Sequence, residues 1–552
     1  MRSKTPRMLL AAVALCATAV TPAVAGAYTV PITGVPAQTK LTGIPVPNVI
    51  APGFDVRTVA DGTFALENPA DLVANPLTGI PAPATPISIT NYGFYGDGPL
   101  VAATGPVATL SEPDKNTYLK FKAGAIKGPD AAYDYGRRFL FQGHESGPGN
   151  SGYFTRVNLD ADQAHRVTLL ASKDDKGNQI SAIDGSIWNP FTQKLLFSGE
   201  EGSALGGIWQ STADYPASVQ DLSGIFGRAG YEGISIDPSG NVWLVDDSGG
   251  ASPSSASALD NARQPNSFVF RLVPTDKGDL TKGGKLQVLQ VASLRTGNPA
   301  MVFTACPAPA DACLEADVKS QDLKDLHTYG NTFATKWVTI HDTAVDGFAD
   351  FDANALAKTK GGTPLKRPEN GAFRPGGGFK EFFFTETGDT NTLKGSGAEY
   401  GQFGAIFKLT QSKASAGTGT LSVVYVGDVE HNSFDNINFL TRNQVMAVED
   451  AGDTLHTQRG KTDSAYVLNV TAATPAPVRF YAQGRDTVAT LRNADNEITG
   501  NYISNGATTV PGLLGAVSPE PFRDGSPWRV FFTNQHGLNI TQEIVRDRSE
   551  RD

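Results

Sequence analysis

From about residue 137 onward, apolar positions come in short alternating or fully apolar runs of strand length, separated by turn residues, with no sustained helical period. One stretch shows the unit clearly. Glu232-Gly233 opens it, Ile234-Ser235-Ile236 is a short strand, and Asp237-Pro238-Ser239-Gly240-Asn241 is a turn; Val242-Trp243-Leu244-Val245 is a second strand ending in Asp246-Asp247. The same order recurs from Asp184 through Leu195-Leu196-Phe197 to Glu200-Glu201, and from Glu369 through Phe382-Phe383-Phe384 to Glu386. It recurs again from Asp435 through Val445-Met446-Ala447-Val448 to Glu449-Asp450. The tail repeats it loosely, with Asp524-Gly525 opening and Val530-Phe531-Phe532 running to Asn534-Gln535-His536. Single strands such as Ser267–Leu272, Gly404–Leu409 and Ser464–Leu468 follow the hairpins.

Repeated hairpins plus closing strands, without intervening helices, predict an all-β chain: a β-propeller of about five or six blades over residues 91–545. Residues 295–360 break the pattern with helical phrasing around Ser320–Leu326 and Asp352–Lys358, and read as a small, partly helical insertion. Residues 28–90 are rich in Pro, Gly, Ala and Thr and carry the phrase Leu-Thr-Gly-Ile-Pro at 41–45 and again at 77–81. Frequent proline keeps such a stretch out of central strands, so it reads as an extended arm laid on the surface, with a mobile linker as the alternative.

Residues 1–27 have the form of an export signal: Arg2, Lys4 and Arg7, then an apolar run from Met8 to Val20, then Ala23-Val24-Ala25. The run is shorter than the ~20 residues of a membrane span, and no later run reaches that length. Leu15 before Cys16 argues against a lipoprotein, and the lack of an Arg-Arg pair argues for the general secretory route. A periplasmic or secreted location follows as an expectation. Cys306 and Cys313 then read as a local disulfide pinning a loop, in preference to a metal or catalytic role.

Composition sharpens the picture in two places. Gly 59 and Pro 35 in 552 residues, with only 18% charged, suit a turn-rich β protein rather than a helical bundle. Lys+Arg 46 against Asp+Glu 56 leaves a net charge of −10, without the basic stripe that nucleic-acid binding requires.

In a propeller the innermost strand of every blade lines one axis, so acids at matching positions converge. Asp184, Glu232, Glu369 and Asp435 open their units, and Glu200/Glu201, Asp246/Asp247, Glu386 and Glu449/Asp450 close them. Carboxylates gathered ~4 Å apart repel by roughly 4 kcal/mol a pair at an effective dielectric of 20, so bound cations are the economical remedy. Oxygen-only ligands favour a hard ion, and calcium accepts irregular carboxylate sets more readily than magnesium does. No His-Glu-x-x-His motif is present, which weighs against zinc hydrolase chemistry.

These phrases resemble the PhoX-type alkaline phosphatases, exported β-propeller phosphomonoesterases that use calcium and iron. The likeness runs from about residue 137 to 540: Gly143-His144-Glu145, Gly199-Glu200-Glu201, Tyr231-Glu232, Asp246-Asp247, Arg367-Pro368-Glu369, Asp435-Asn436 and Glu449-Asp450 are similar, in order, to the family's stations. The resemblance implies a phosphatase acting on a small-molecule phosphoester. It implies metal ligands at Glu145, Glu200, Glu201, Glu232, Asp247, Glu369, Asp435 and Glu449, and catalytic roles for Arg367, Glu369 and Asp435. Calcium is the implied cofactor, with iron or another transition metal beside it. Two positions depart from the pattern. The family's iron-binding Cys is Gly199 here, and the Asn before His-Glu is Gly143. Arg367 has two readings from its position, a clamp on phosphate or a salt bridge to a channel carboxylate. The rival functions are a lactonase-type propeller with one calcium ion and a non-catalytic exported propeller that binds a partner.

Overall fold

The computed structural model describes residues 28–40, 45–72, 87–96, 109–146, 151–200, 205–303, 306, 311–485 and 496–547. The leader-like segment 1–27, most of both Leu-Thr-Gly-Ile-Pro phrases and Glu201 lie outside the described residues.

Six antiparallel blades follow one another along the chain and close into a β-propeller. Their innermost strands are Thr117–Lys120, Ile183–Asn189, Tyr231–Ile236, Gly371–Phe373, Phe434–Phe439 and Glu497–Ser504. Neighbouring blades are stitched at the axis. The Thr117 and Ser186 hydroxyls lie 2.8 Å apart, Gly233 N–H donates to Glu369 C=O at 2.8 Å, and the Asn501 amide donates to Asn436 C=O at 3.1 Å. The Asn116 amide closes the circle on Gly500 C=O at 2.8 Å.

The fully apolar runs have a direct cause. Successive side chains of a strand point to opposite faces, and a blade is covered on both, so the second strands are buried throughout apart from an opening charged residue in four of them. Phe382 and Phe384 pack toward the third blade, against Trp243 and Val245, while Phe383 packs toward the fifth, against Phe434 and Ile437. Phe139 and Phe141 meet Trp188 and Phe197 of the second blade, while Leu140 meets Phe531 of the sixth. Each buried Phe contributes about 1.5–3 kcal/mol.

The arm is more than a surface wrap. Phe54–Ala60 pairs with Ile540–Arg546 as the outermost strand of the sixth blade, so a strand from near the start of the chain completes a blade otherwise built from its end. Val49–Ile50 adds an edge to the fifth blade, and Val30 exchanges hydrogen bonds with the Gln444 side chain. The propeller therefore draws on residues well before 91.

The expected insertion contains helices at Gln321–Leu326, capped by the Ser320 side chain, and Ala353–Thr359, capped by Asp352. It also contains a long strand, Phe333–Asp342, which pairs with both Gly284–Val291 and Thr418–Val426 and joins the third and fourth blades into one nine-stranded sheet. Cys306 and Cys313 are bonded to each other at its edge. Among the described residues no helix is long and apolar enough to cross a membrane.

Candidate metal centre on the propeller axis

Each inner strand begins beside a carboxylate, and the set is six rather than four: Asp114, Asp184, Glu232, Glu369, Asp435 and Glu497. In the second, third and fifth blades the acid sits in a β-bulge. Asp184-Gly185, Glu232-Gly233 and Asp435-Asn436 each oppose one residue of the partner strand. A bulge twists its strand and re-aims the side chain. The residue after the acid must also let the next blade approach: a Cβ at Gly233 would lie 2.6 Å from Asn370 Cα and 2.8 Å from Glu369 O.

The second strands complete the cluster with residues just past their ends. Glu145, Glu200 and Asp247 join the opening acids in three overlapping groups whose oxygens lie within 4.8 Å of one another: Asp114/Glu145/Asp184, Asp184/Glu200/Glu232 and Glu232/Asp247/Glu369. Adjacent ionised carboxylates at that range repel by about 3 to 4 kcal/mol at an effective dielectric of 20. Burial and like charge accordingly raise Asp184, Glu232 and Glu145 well above the usual carboxylate range. Burial, followed by Asp247, pushes Glu369 up to about 7.

Of the residues expected from the sequence, Glu145, Glu200, Glu232, Asp247 and Glu369 are brought together, with Asp435 facing the same space from the fifth blade. Asp435 accepts from the Asn436 amide at 2.8 Å and from the Asn370 amide at 3.3 Å, and is raised by burial, then by Asp114 and Glu369. Glu201 lies outside the described residues.

Glu449 is not brought into the group. Its oxygens accept from the buried Arg459 at 2.9 and 3.3 Å and from Asn432 N–H at 3.1 Å, in a network with Asp463 and His456. The reason is strand parity, because one step along a strand reverses the side chain. Phe434 pairs with Glu449 just as Tyr231 pairs with Asp246, so the counterpart of Asp247 is Asp450. Asp450 is near enough to raise Asp435 and Glu497 and to favour the Arg367 charge. Asp246 is likewise structural, held by Ser248 and Asn354, and Glu386 is held by His327 Nε2 at 2.7 Å and by Lys366 N–H at 2.7 Å.

Arg367 donates to Asp247 at 2.8–3.2 Å and approaches Glu369 Oε1 at 3.3 Å, so the salt-bridge reading describes this structure. Burial works against its charge, but Asp247 and Glu369 outweigh burial and raise it well above its usual value. Arg367 holds a left-handed backbone, φ 56°, just before Pro368. That is a costly conformation for a non-glycine residue, held here by the ion pair and the Thr387 N–H bond to its carbonyl.

Sequence reasoning missed Asp114, Glu497 and Lys115. Asp114 lies just before Thr117–Lys120 and Glu497 opens Glu497–Ser504, neither in a unit of the expected form, and Asp524, read as the opening of the last unit, instead lies in the loop before Arg529–Gln535. A signal existed: Asp114-Lys115-Asn116 and Asp435-Asn436 share the Asp-polar phrasing.

Carboxylates suit a hard cation, and two of their oxygens, Asp114 Oδ1 and Asp184 Oδ1, are buried with no hydrogen-bond partner. The residues therefore fit a metal centre. Among the described residues thiolate is lacking, since Cys306 and Cys313 are tied to each other. The family's Cys and Asn would not fit where the motif order puts them. A Cβ at Gly199 would lie 2.7 Å from the Trp209 ring, and one at Gly143 only 1.9 Å from Ile183 Cγ2.

Fold and site together define a six-bladed propeller with an acidic, cation-seeking axis. The family model of alkaline phosphatase PhoX matches residues 258–511. The fold is similar to Pseudomonas fluorescens PhoX in complex with vanadate, a transition state analogue, with a TM-score of 0.52 at 11% identity, covering 93% of this chain and 98% of that one. The chain thus resembles alkaline phosphatase PhoX over a little under half its length and shares that protein's propeller fold. YCF48 from Cyanidioschyzon merolae (TM-score 0.29, 9% identity, 73% of this chain and 76% of that one) is a much weaker match. Sqt1 of Chaetomium thermophilum bound to the N-terminus of ribosomal protein L10 (0.29, 10%, 73% and 84%) is equally weak. No curated protein matches the sequence.

Proposed function

We propose that the chain is an exported, metal-dependent phosphatase that hydrolyses phosphomonoesters at the axial carboxylate cluster. The observation that carries this reading is the set of three overlapping acidic groups on the axis of a PhoX-type propeller. Asp114, Glu145, Asp184, Glu200, Glu232, Asp247 and Glu369 would hold the ions, with Asp435 and Asp450 alongside. Calcium suits the donors, and the all-oxygen set gives iron or another transition metal less support than the family pattern implies. Bound cations would supply Lewis acidity toward phosphoryl oxygens and water and neutralise charge on the phosphate.

The chain's own residues do the rest. Arg367, held at the site by Asp247 and Glu369, would offer phosphate its planar, two-pronged fork. Without cations Glu369 is pushed up to about 7 beside a strongly raised Glu232, so it must give up its proton to hold an ion near neutral pH. Asp435 is oriented for the same space by the Asn436 and Asn370 amides.

The signal-like residues 1–27 and the Cys306–Cys313 bond support a periplasmic or secreted location. A lactonase-type propeller with one calcium would leave most of these acids without a task, so several ions per chain separate the two readings.

Hydrolysis of p-nitrophenyl phosphate, measured before and after chelation, tests the proposal. Turnover should vanish with chelator, return with calcium alone or with iron added, and be inhibited by vanadate. Turnover indifferent to chelator removes this mechanism.

A further inference from the structure

Lys115 is the residue the acidic axis would least be expected to contain. It follows Asp114 at the mouth of the first blade and is only 4% exposed. Its side chain crosses the axis, where Nζ donates to Asn370 Oδ1 of the fourth blade at 2.9 Å and to Asn436 Oδ1 of the fifth at 3.2 Å. The same two asparagines donate their amides to Asp435, at 3.3 Å from Asn370 and 2.8 Å from Asn436, so they bridge the ammonium group to that carboxylate. Burial lowers the Lys115 pKa from its usual value, and Asp435, then Asp184 and Asp114, work against that lowering. Lys115 also lines the cavity at the opposite end of the channel, where Ile187, Ile234, Phe373, Phe439 and Tyr502 make the walls apolar. The ammonium group thus stands on the floor between an acidic chamber and an apolar one.

The metal-capable groups are lopsided in the same sense. All three draw on the first four blades, and among the described residues none includes Asp435 or Glu497. An ammonium group coordinates no metal and repels a divalent ion, while two neutral asparagine oxygens hold it in place. We propose that Lys115 is a fixed cation built into the ring: it compensates Asp435 and closes the floor, confining divalent ions to the arc from Asp114 to Glu369. The inference rests on the metal-centre reading for the position of the ions, but the charge pairing stands apart from it.

Elemental analysis and thermal melting of the full chain test this, using Lys115→Met, Asp435→Asn and the double variant. Lys115→Met should carry one more divalent ion per chain in calcium and melt several degrees below the native chain in chelator, with calcium restoring most of the loss. Adding Asp435→Asn should recover melting in chelator, since it removes the uncompensated acid. If Lys115→Met fails to fold alone while the double variant folds, the pairing is equally supported. An unchanged ion count, with an equal melting loss whether residue 435 is Asp or Asn, overturns the proposal. A native chain that binds no metal would instead overturn the metal-centre reading, and the melting comparison in chelator would still decide the role of Lys115.

Discussion

One residue separates a buried brace from an acid at the axial site at the end of the fifth blade. Glu449 is locked to Arg459, whereas Asp450 faces the axis. Breaking a buried pair costs about 3–5 kcal/mol, so Glu449→Gln should lower the melting midpoint strongly while leaving the number of bound ions unchanged. Asp450→Asn should instead weaken turnover, with little effect on melting in chelator. Equal behaviour of the two variants would contradict the parity argument. Arg367→Ala should reduce kcat/KM by about 100-fold or more, the scale of losing one preorganised charge-stabilising group, with metal content retained. A normal kcat/KM would place phosphate recognition elsewhere. Glu369 sets a pH dependence. Its folded value of about 7 exceeds the ~4.3 of an unstructured Glu, so the stability it contributes is complete below pH ~4 and is lost as pH rises through 7. Chelated protein should therefore melt lower at pH 8 than at pH 5.5, and saturating calcium should flatten the trend; a midpoint in chelator that rises with pH would contradict this.

Among the elements, the bulged inner strands and the second strands do different work. The second strands were legible because both faces of a blade are covered, which makes them continuously apolar, as in Phe382-Phe383-Phe384. The inner strands are short, polar and bulged, so their hydrophobic signal is weak; four openings could be read from the turn and apolar run that follow them. The first and last blades escaped because Thr117–Lys120 is four residues long and Glu497–Ser504 is a polar, glycine-broken run, Glu-Ile-Thr-Gly-Asn-Tyr-Ile-Ser. Gly199 lies at the end of such a second strand, under the Trp209 ring. Gly199→Cys should consequently destabilise by about 1–3 kcal/mol through overpacking, without conferring iron binding. Iron uptake at unchanged stability would show that the thiolate position remains open.

At the scale of the whole molecule, closure depends on Phe54–Ala60 meeting Ile540–Arg546. A chain beginning after residue 60 should lose the outer edge of its sixth blade and unfold at lower temperature with reduced cooperativity, even though every axial acid is retained. The amino-acid sequence by itself determined the all-β class, the propeller repeat, the helical insertion and most of the acids that meet on the axis. These are properties of alternation, turn chemistry and spacing, which act between near neighbours. Only the tertiary structure decided the sixfold count, the use of the arm as a closing strand, the choice of Asp450 over Glu449, the pairing of Arg367 and the place of Lys115. Each depends on which strands meet across long sequence separations and on which way a bulge turns a side chain, and local pattern carries neither.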